Sequence, residues 1–591
     1  MLSPFSFYNE NIDKYDKQLK DLGNKLLLVS ILRLSSFLAA CWFIYRVVLH
    51  STPATIIAAT IFIIIFVISL RLSLNLQDIK RLKEKLLYIN HNEVAIRNGT
   101  TNRFDNGSVY LNPLNYSGDL DIFGSGSLFE LLNRTTTKHG SDKLGLALQQ
   151  SSPTSAGIIQ MQDAIRQLSG QPGIQQELIA QGLLNTEKEG TLNDITLWLQ
   201  EPNRMLHRKW LQVARFLIPL YNIGAFYYYL DSDNTGPLLI GFLIAWIIIG
   251  IFSKYTLSQH KLITKKQAIL DQYASILKAF SAAETGSSEV LEGTKQLAGN
   301  ADKGIHQLAR LSGLFDQRLN LIVFAVLNGF LLYDIQCMLG LEKWKSAHKL
   351  QFDSWIETVA KIELLNSLAI FSFNNYGYVY PLVHDRMEIE AVKLSHPLIR
   401  ADLNVANDLK FGDNEKLIIL TGSNMSGKTT FLRTLGVNLV LAQCGAPVNA
   451  QRFVFKPMCI LSSIRVGDSL QENTSYFMAE LKKLRAIIEV LDTGIPAIVL
   501  IDEILRGTNS DDKTHGSEMF IRKLVKFNCL TLFATHDLSL SVLEQVLDGQ
   551  AKNYCFESVI EDGQLLFDYK LQRGVARNKN ASFLMTKMGI I

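Results

Sequence analysis

The spacing of apolar and polar positions divides the chain into three unlike kinds of sequence. Two pairs of long apolar runs come first to notice. Leu34–Leu49 and Ala54–Leu70 flank His50-Ser51-Thr52-Pro53, and Phe216–Leu230 and Leu238–Phe252 flank Asp231-Ser232-Asp233-Asn234-Thr235-Gly236. Each run is about 15–17 residues long, at or just under the lower limit for a bilayer-spanning helix. Arg33 and Arg46 bracket the first run, so one of them must snorkel or sit at an interface. Around these pairs the apolar residues recur at helical spacing, over Ile158–Leu168, Leu178–Leu184, Gln259–Leu314 and Trp355–Ser372. Gly286-Ser287-Ser288 and Gly299-Asn300 punctuate the third of these stretches. Gly124-Ser-Gly-Ser127 followed by Leu128, Leu131 and Leu132 predicts a loop capping a helix. Leu319–Leu332 is also apolar, but it contains Asn328 and ends in Tyr333-Asp334; it predicts a buried helix of a soluble domain. In the last third the pattern changes to short solid runs, Leu417–Leu420, Ala497–Ile501 and Leu530–Ala534, which predict buried strands.

Charge placement orients the apolar pairs. Lys20, Lys25, Arg71, Lys80, Arg81, Lys83 and Lys85 lie outside the first pair. Arg204, Arg208, Lys209, Lys254, Lys261, Lys265 and Lys266 lie outside the second, and neither turn carries Lys or Arg. Two helical hairpins entering and leaving on the cytoplasmic side are therefore expected, in a multi-pass membrane protein with both termini and the C-terminal domain cytoplasmic. The competing reading is a pair of long hairpins buried in a soluble helical domain; the Ile/Phe density of Ile56–Leu70 and Leu238–Phe252 argues against it. The chain's 591 residues exceed one hydrophobic core. With 59 Lys plus Arg against 55 Asp plus Glu, the formal charge of +4 is too small to mark a nucleic-acid binder by composition. The six cysteines are scattered without metal-ligand spacing, as reduced thiols of a cytosolic context are. No cleavable signal peptide is evident in the polar, charged segment up to Lys25.

The chemistry collects around Ile418–Thr430. A buried strand is followed by Gly422-Ser423-Asn424-Met425-Ser426-Gly427-Lys428-Thr429-Thr430 and then a helix, the context a P-loop requires. Its glycines let backbone N–H groups turn around an anion at a helix N-terminus. Lys428 would reach the β- and γ-phosphates of a bound nucleotide, and the Thr429 hydroxyl would ligate Mg2+. The strand Ala497–Ile501 delivers Asp502 and Glu503. Asp502 is expected to hold Mg2+, directly or through water, and Glu503 to orient or deprotonate the attacking water. The next strand delivers His536, placed to contact the γ-phosphate or its water. Ser475, followed by Phe477, Met478 and Glu480, fits a helix N-terminus that could itself face a phosphate.

Taken together, Thr421–Thr429, Ser475-Tyr-Phe-Met-Ala-Glu480, Asp502-Glu-Ile-Leu-Arg-Gly-Thr508 and Phe533-Ala-Thr-His-Asp537 resemble the ATPase domain of the MutS family of DNA mismatch-repair proteins. His396-Pro397 and Asn407-Asp408-Leu409 resemble the approach to the P-loop where that family cradles adenine. Gly126–Thr135 and Leu327–Trp344 look like its helical core and levers. The resemblance implies an α/β P-loop ATPase domain, ABC-like and of MutS type, beside an all-α core and lever domain that here carries two transmembrane hairpins. It implies ATP and Mg2+ as cofactors, and a homodimer in which Ser475 completes the partner's site. DNA enters as a partner through the resemblance alone, and membrane lipid through the hairpins. An ATP-driven membrane scaffold with no mismatch-repair role is the alternative. The expected domains are 1–85 with the first hairpin, 86–210 helical core, 211–256 second hairpin, 257–385 core and lever, and 386–591 ATPase. Nothing N-terminal resembles the mismatch-reading domain, and Leu505 stands where the family has a glycine. With the last residue at Ile591, a helix-turn-helix dimerisation tail is expected to be short or missing.

Overall fold

The computed structural model describes residues 3–50, 52–112, 115–149, 153–185, 191–412, 414–423, 425–465, 476–505, 509–561 and 564–577. The first apolar pair forms the arms of a long antiparallel hairpin, with helices Pro4–Leu49 and Pro53–Arg97 of 46 and 45 residues. Local chemistry starts both helices: Ser3 caps the first, and Thr52 and Thr55 form a reciprocal capping box at the second, each with proline in the first turn. The feet of the hairpin dock on the helical domain. Tyr8 Oη donates to Asn374 Oδ1 (2.7 Å), Gln176 Nε2 donates to Asn90 Oδ1 (2.8 Å), and Leu86 and Ile89 are buried with Ile179, Ala180 and Ile370. Its far half is different. In the most apolar 18-residue stretch of each arm only 11% of residues are buried.

The second pair also forms a hairpin, Lys209–Ser232 and Gly236–Ile263. Asp233 takes a left-handed conformation at the turn, and Asn234 Oδ1 accepts from Gly236 N–H (2.9 Å). Among the described residues three helices, the two arms of the first hairpin and Gly236–Ile263, are long and apolar enough to cross a membrane; Lys209–Ser232, with Pro219 in its interior, is not one of them. The base of this hairpin is held by Glu342, fully buried, whose carboxylate accepts from the backbone N–H groups of Arg204 (3.0 Å), Met205 (3.0 Å) and Leu206 (2.6 Å) and from Tyr255 Oη (2.8 Å).

Two expectations are corrected here. Gly299-Asn300 does not interrupt its helix, which runs unbroken over Glu289–Asp316, whereas Gly286 does sit in a break, with a left-handed backbone before the Ser288 cap. The apolar run Leu319–Leu332 is not a buried core helix. It forms a short helix, Leu321–Leu331, lying against the second hairpin with Leu321 and Ile322 about three-quarters exposed.

The C-terminal domain holds two sheets, built from β1 (Leu382–Val383), β2 (Glu388–Leu394), β3 (Asn407–Gly412), β4 (Leu417–Gly422), β5 (Arg452–Phe455), β6 (Cys459–Ser463), β7 (Ala497–Asp502), β8 (Cys529–Thr535), β9 (Ala551–Glu561) and β10 (Gln564–Arg573). Four form a small sheet in the order β1-β5-β2-β3, and six form the larger sheet β10-β9-β4-β8-β7-β6. Strands β9, β4, β8, β7 and β6 run parallel, and β10 closes one edge antiparallel. β4, β7 and β8 are buried along their whole lengths, as solid apolar strands covered on both faces must be. They are neighbours, so the loops at their carboxyl ends converge.

Candidate functional site

Strand β4 turns at Gly422 into the glycine-rich loop, and the helix Lys428–Gln443 begins as that loop ends. Gly427 needs glycine, because its φ is +107° and a Cβ there would sit 3.1 Å from the Tyr569 ring. Gly422 is equally crowded: a Cβ would lie 2.7 Å from Ser426 Oγ and 3.0 Å from Phe556 O. Lys428 turns back over this loop and donates to the carbonyl oxygens of Gly422 (2.7 Å) and Ser423 (2.9 Å). Thr429 Oγ1 donates to Asp502 Oδ2 (2.5 Å), joining the loop to the end of β7.

At the next position Glu503 has a left-handed backbone (φ 53°), which swings its carboxylate toward β8. There its Oε1 lies 2.9 Å from His536 Nδ1 and also meets the ammonium of Lys513. Leu505 keeps the backbone a glycine would adopt (φ 62°), and its N–H donates to Glu480 Oε1 (2.9 Å). A residue with a Cβ in this region stores strain that the surrounding structure must hold.

These groups line one cleft of about 1070 Å³. It brings together Met425, Ser426, Gly427, Lys428, Thr429, Thr430, Asp502, Glu503, His536 and Asn407. Gly422 and Ser423 reach it through Lys428. Asn424 and Ser475 lie outside the described residues; the helix Tyr476–Leu491 begins immediately after Ser475. Asn407 is present but occupied: its Nδ2 donates to Tyr569 O (3.0 Å) and its Oδ1 accepts from Leu571 N–H (2.8 Å). It thereby fixes the irregularity in β10 that sets Tyr569 beside Gly427.

Several residues at the site had no signal in the sequence. Arg433 and Tyr569, which line the cleft, and Lys513, which meets Glu503 from outside that lining, come from a helix, a strand edge and a helix, with no motif around them. His396, at the far wall, is buried, and its imidazole is pushed down to about 4 by that burial and then by Arg433, so it is neutral at pH 7. Among the described residues, no group of three or more His, Cys, Asp or Glu side chains converges on a metal position. A hydroxyl and a carboxylate in contact do fit Mg2+, which takes one or two protein oxygens and completes its shell with phosphate and water. Among the described residues the buried Ser426 Oγ has no hydrogen-bond partner, and the loop around it is narrowed by glycines to a width a Cβ would fill. That is a cradle for an anion.

The fold and this cleft define an α/β domain with an anion-cradling loop facing an acidic strand end. Comparison with known proteins places this domain: residues 418–588 match MutS domain V. The chain is 33% identical over 225 residues to the DNA mismatch repair protein MutS of Thermotoga maritima, covering 37% of this chain and 28% of that protein. It is 31% identical over 257 residues to MutS protein homolog 4 of Mus musculus, covering 42% and 26%. For the MutS of Prochlorococcus marinus the figures are 33% over 259 residues, 41% and 27%. The chain thus spans little more than a quarter of the length of these relatives.

Proposed function

We propose that this protein is a Mg2+-dependent ATP hydrolase of the ABC-like MutS type, working as an ATP-gated dimer anchored in a membrane by its two hairpins. The observation that carries the reading is the meeting of Lys428, Thr429, Asp502, Glu503 and His536 in one cleft at the carboxyl ends of β4, β7 and β8. Lys428 would exchange its two carbonyl partners for β- and γ-phosphate oxygens, a stronger, charge-assisted bond. Thr429 and Asp502 would hold Mg2+, which neutralises charge on the phosphoryl oxygens. Glu503 would orient the attacking water and take its proton, with His536 and Lys513 fixing the carboxylate. Ser475, by the family resemblance, would complete the site of the partner subunit.

Two of these relatives, from Thermotoga maritima and Prochlorococcus marinus, are named DNA mismatch repair protein MutS, and that supports DNA as the partner of this protein. Its action would then take place at a membrane surface, because the second hairpin packs on Leu321–Leu331 and Tyr333–His348, in the stretch that resembles the family's levers. DNA retention by detergent-purified protein, with and without ATP, on matched, mismatched and branched duplexes tests this. Binding that is ATP-dependent and falls with salt supports it. ATP turnover with no retention of any duplex favours a membrane scaffold. Loss of turnover in Lys428→Ala tests the site itself, and unchanged turnover would remove it. Mixing Lys428→Ala with Ser475→Ala tests the shared site, since a mixed dimer would hold one intact composite site and regain part of the activity.

A further inference from the structure

We propose that the helix Leu321–Leu331 is a membrane-inserted half-helix: it enters the acyl region beside the second hairpin and returns to the side it came from. This rests on the membrane reading of that hairpin and adds to it a third lipid-facing element.

Length and composition set the frame. The 11 residues Leu-Ile-Val-Phe-Ala-Val-Leu-Asn-Gly-Phe-Leu carry no charge. At 1.5 Å per residue they reach about 16 Å, roughly half of a hydrocarbon core. The chain bends by 108° between the helical segment ending at Leu319 and this one, so the two do not make a straight span. Leu319, Leu321 and Ile322 are 62%, 78% and 75% exposed. A water-soluble helix would bury such residues. This one leaves them outward and packs its other side on the hairpin, Phe324 against Trp246 (ring centroids 5.6 Å apart) and Phe330 against Phe242 (4.7 Å). Its exposed aliphatic surface therefore lies beside that of Leu243 and Ile247 on the hairpin, which argues for lipid as the common occupant.

Backbone accounting supplies the independent observation. A helix ending at membrane depth leaves carbonyl oxygens that no water can satisfy. Asn222 is fully buried within the apolar run of Lys209–Ser232, and its Nδ2 donates to Gly329 O (3.0 Å) and Phe330 O (3.1 Å), two carbonyls in the last turn of the half-helix. Asn328 Oδ1 accepts from Asp334 N–H (2.9 Å) as the next helix begins, and Asn320 Oδ1 accepts from Ile322 and Val323 N–H at the entry. Gly241 and Gly329 let the segments approach: a Cβ at either would collide with Asn222 or Phe242. Arg318 and Asp334 join the two ends of the excursion across 3.1 Å, as a charged pair at the point of entry and exit would.

The test uses full-length protein in proteoliposomes, with Cys41→Ser and single cysteines introduced at Ile322, Leu243 and Lys303, each carrying an environment-sensitive fluorophore. Expected is loss of emission at Ile322 and Leu243 with brominated-chain lipids and no loss with iodide, with the opposite at Lys303. Iodide quenching at Ile322 while Leu243 responds to lipid overturns the half-helix and leaves the hairpin in the membrane. Iodide quenching at both overturns the membrane reading as well. Protection of Ile322 from both quenchers, with disulfide cross-linking between copies through that cysteine, assigns the surface to a second copy and overturns the lipid assignment.

Discussion

Lys483 and Asp119 stand 364 positions apart in the chain, and their side chains meet at 2.7 Å with almost no solvent access. Asp119 belongs to the helical region and Lys483 to the helix that follows Ser475. The same carboxylate accepts from Ser462 Oγ (2.6 Å), Ile464 N–H (3.1 Å) and Arg465 N–H (2.9 Å), all at the end of β6. Two positions on, Asp121 takes Arg433 (3.0 Å) and Arg465 (2.8 Å), both of which line the cleft. The helical region is thus tied to the nucleotide-facing wall through two aspartates. Asp119→Asn should cost about 3–5 kcal/mol, because Lys483 is left charged and buried without its counter-ion. Thermal unfolding of Asp119→Asn, Lys483→Met and the double variant checks this. The double variant should be more stable than Asp119→Asn alone, and a loss equal to the sum of the two single losses would deny the coupling.

Glu503 is the residue whose removal should separate binding from turnover. Glu503→Gln should retain ATP and slow hydrolysis by about 100-fold or more, the usual worth of a positioned base. Lys513→Met should leave ATP affinity unchanged and lower kcat by about 10-fold, since His536 still holds the carboxylate but from one side only. Single-turnover hydrolysis beside equilibrium binding of a fluorescent ATP analogue reads both. Parent-rate hydrolysis by Glu503→Gln would dismiss its role.

His396 makes the cleft domain acid-sensitive. Its folded value, about 4, lies below the ordinary 6.5, so the unfolded chain takes up a proton that the folded chain refuses. Stability from this group is complete above about pH 6.5 and is lost as the pH falls toward 4, on the order of 3 kcal/mol at the limit. Urea unfolding between pH 7.5 and 4.5 should show a shallower decline for His396→Gln than for the parent chain. Parallel declines would place the acid sensitivity elsewhere.

The hairpins predict a partitioning and a sidedness. The protein should stay with membranes through a high-salt wash and be released by detergent. Cysteines replacing Thr52 and Asn234, at the two hairpin turns, should react with an impermeant thiol reagent from the non-cytoplasmic side, and one replacing Lys80 should not. Recovery in the salt wash, or equal labelling at all three positions, would return both hairpins to a soluble domain.

What the sequence determined alone is what lies close together in it. The glycine loop and the acids at strand ends are legible because neighbouring residues share one strand, one turn and one helix start, and their chemistry depends on that spacing. The hairpins are legible as helices for the same reason: long apolar runs, capped turns and no internal partner needed. Tertiary structure decided everything that joins distant segments. Lys513 reaches Glu503 only because the helix after β7 folds back over its own strand, and Asp119 finds Lys483 only when the helical region packs on β6. It also decided the fate of Leu319–Leu332. An apolar run has the composition of a core helix whether or not it is packed in a core, and only the exposure of Leu321 and Ile322 beside the second hairpin shows that this one is not.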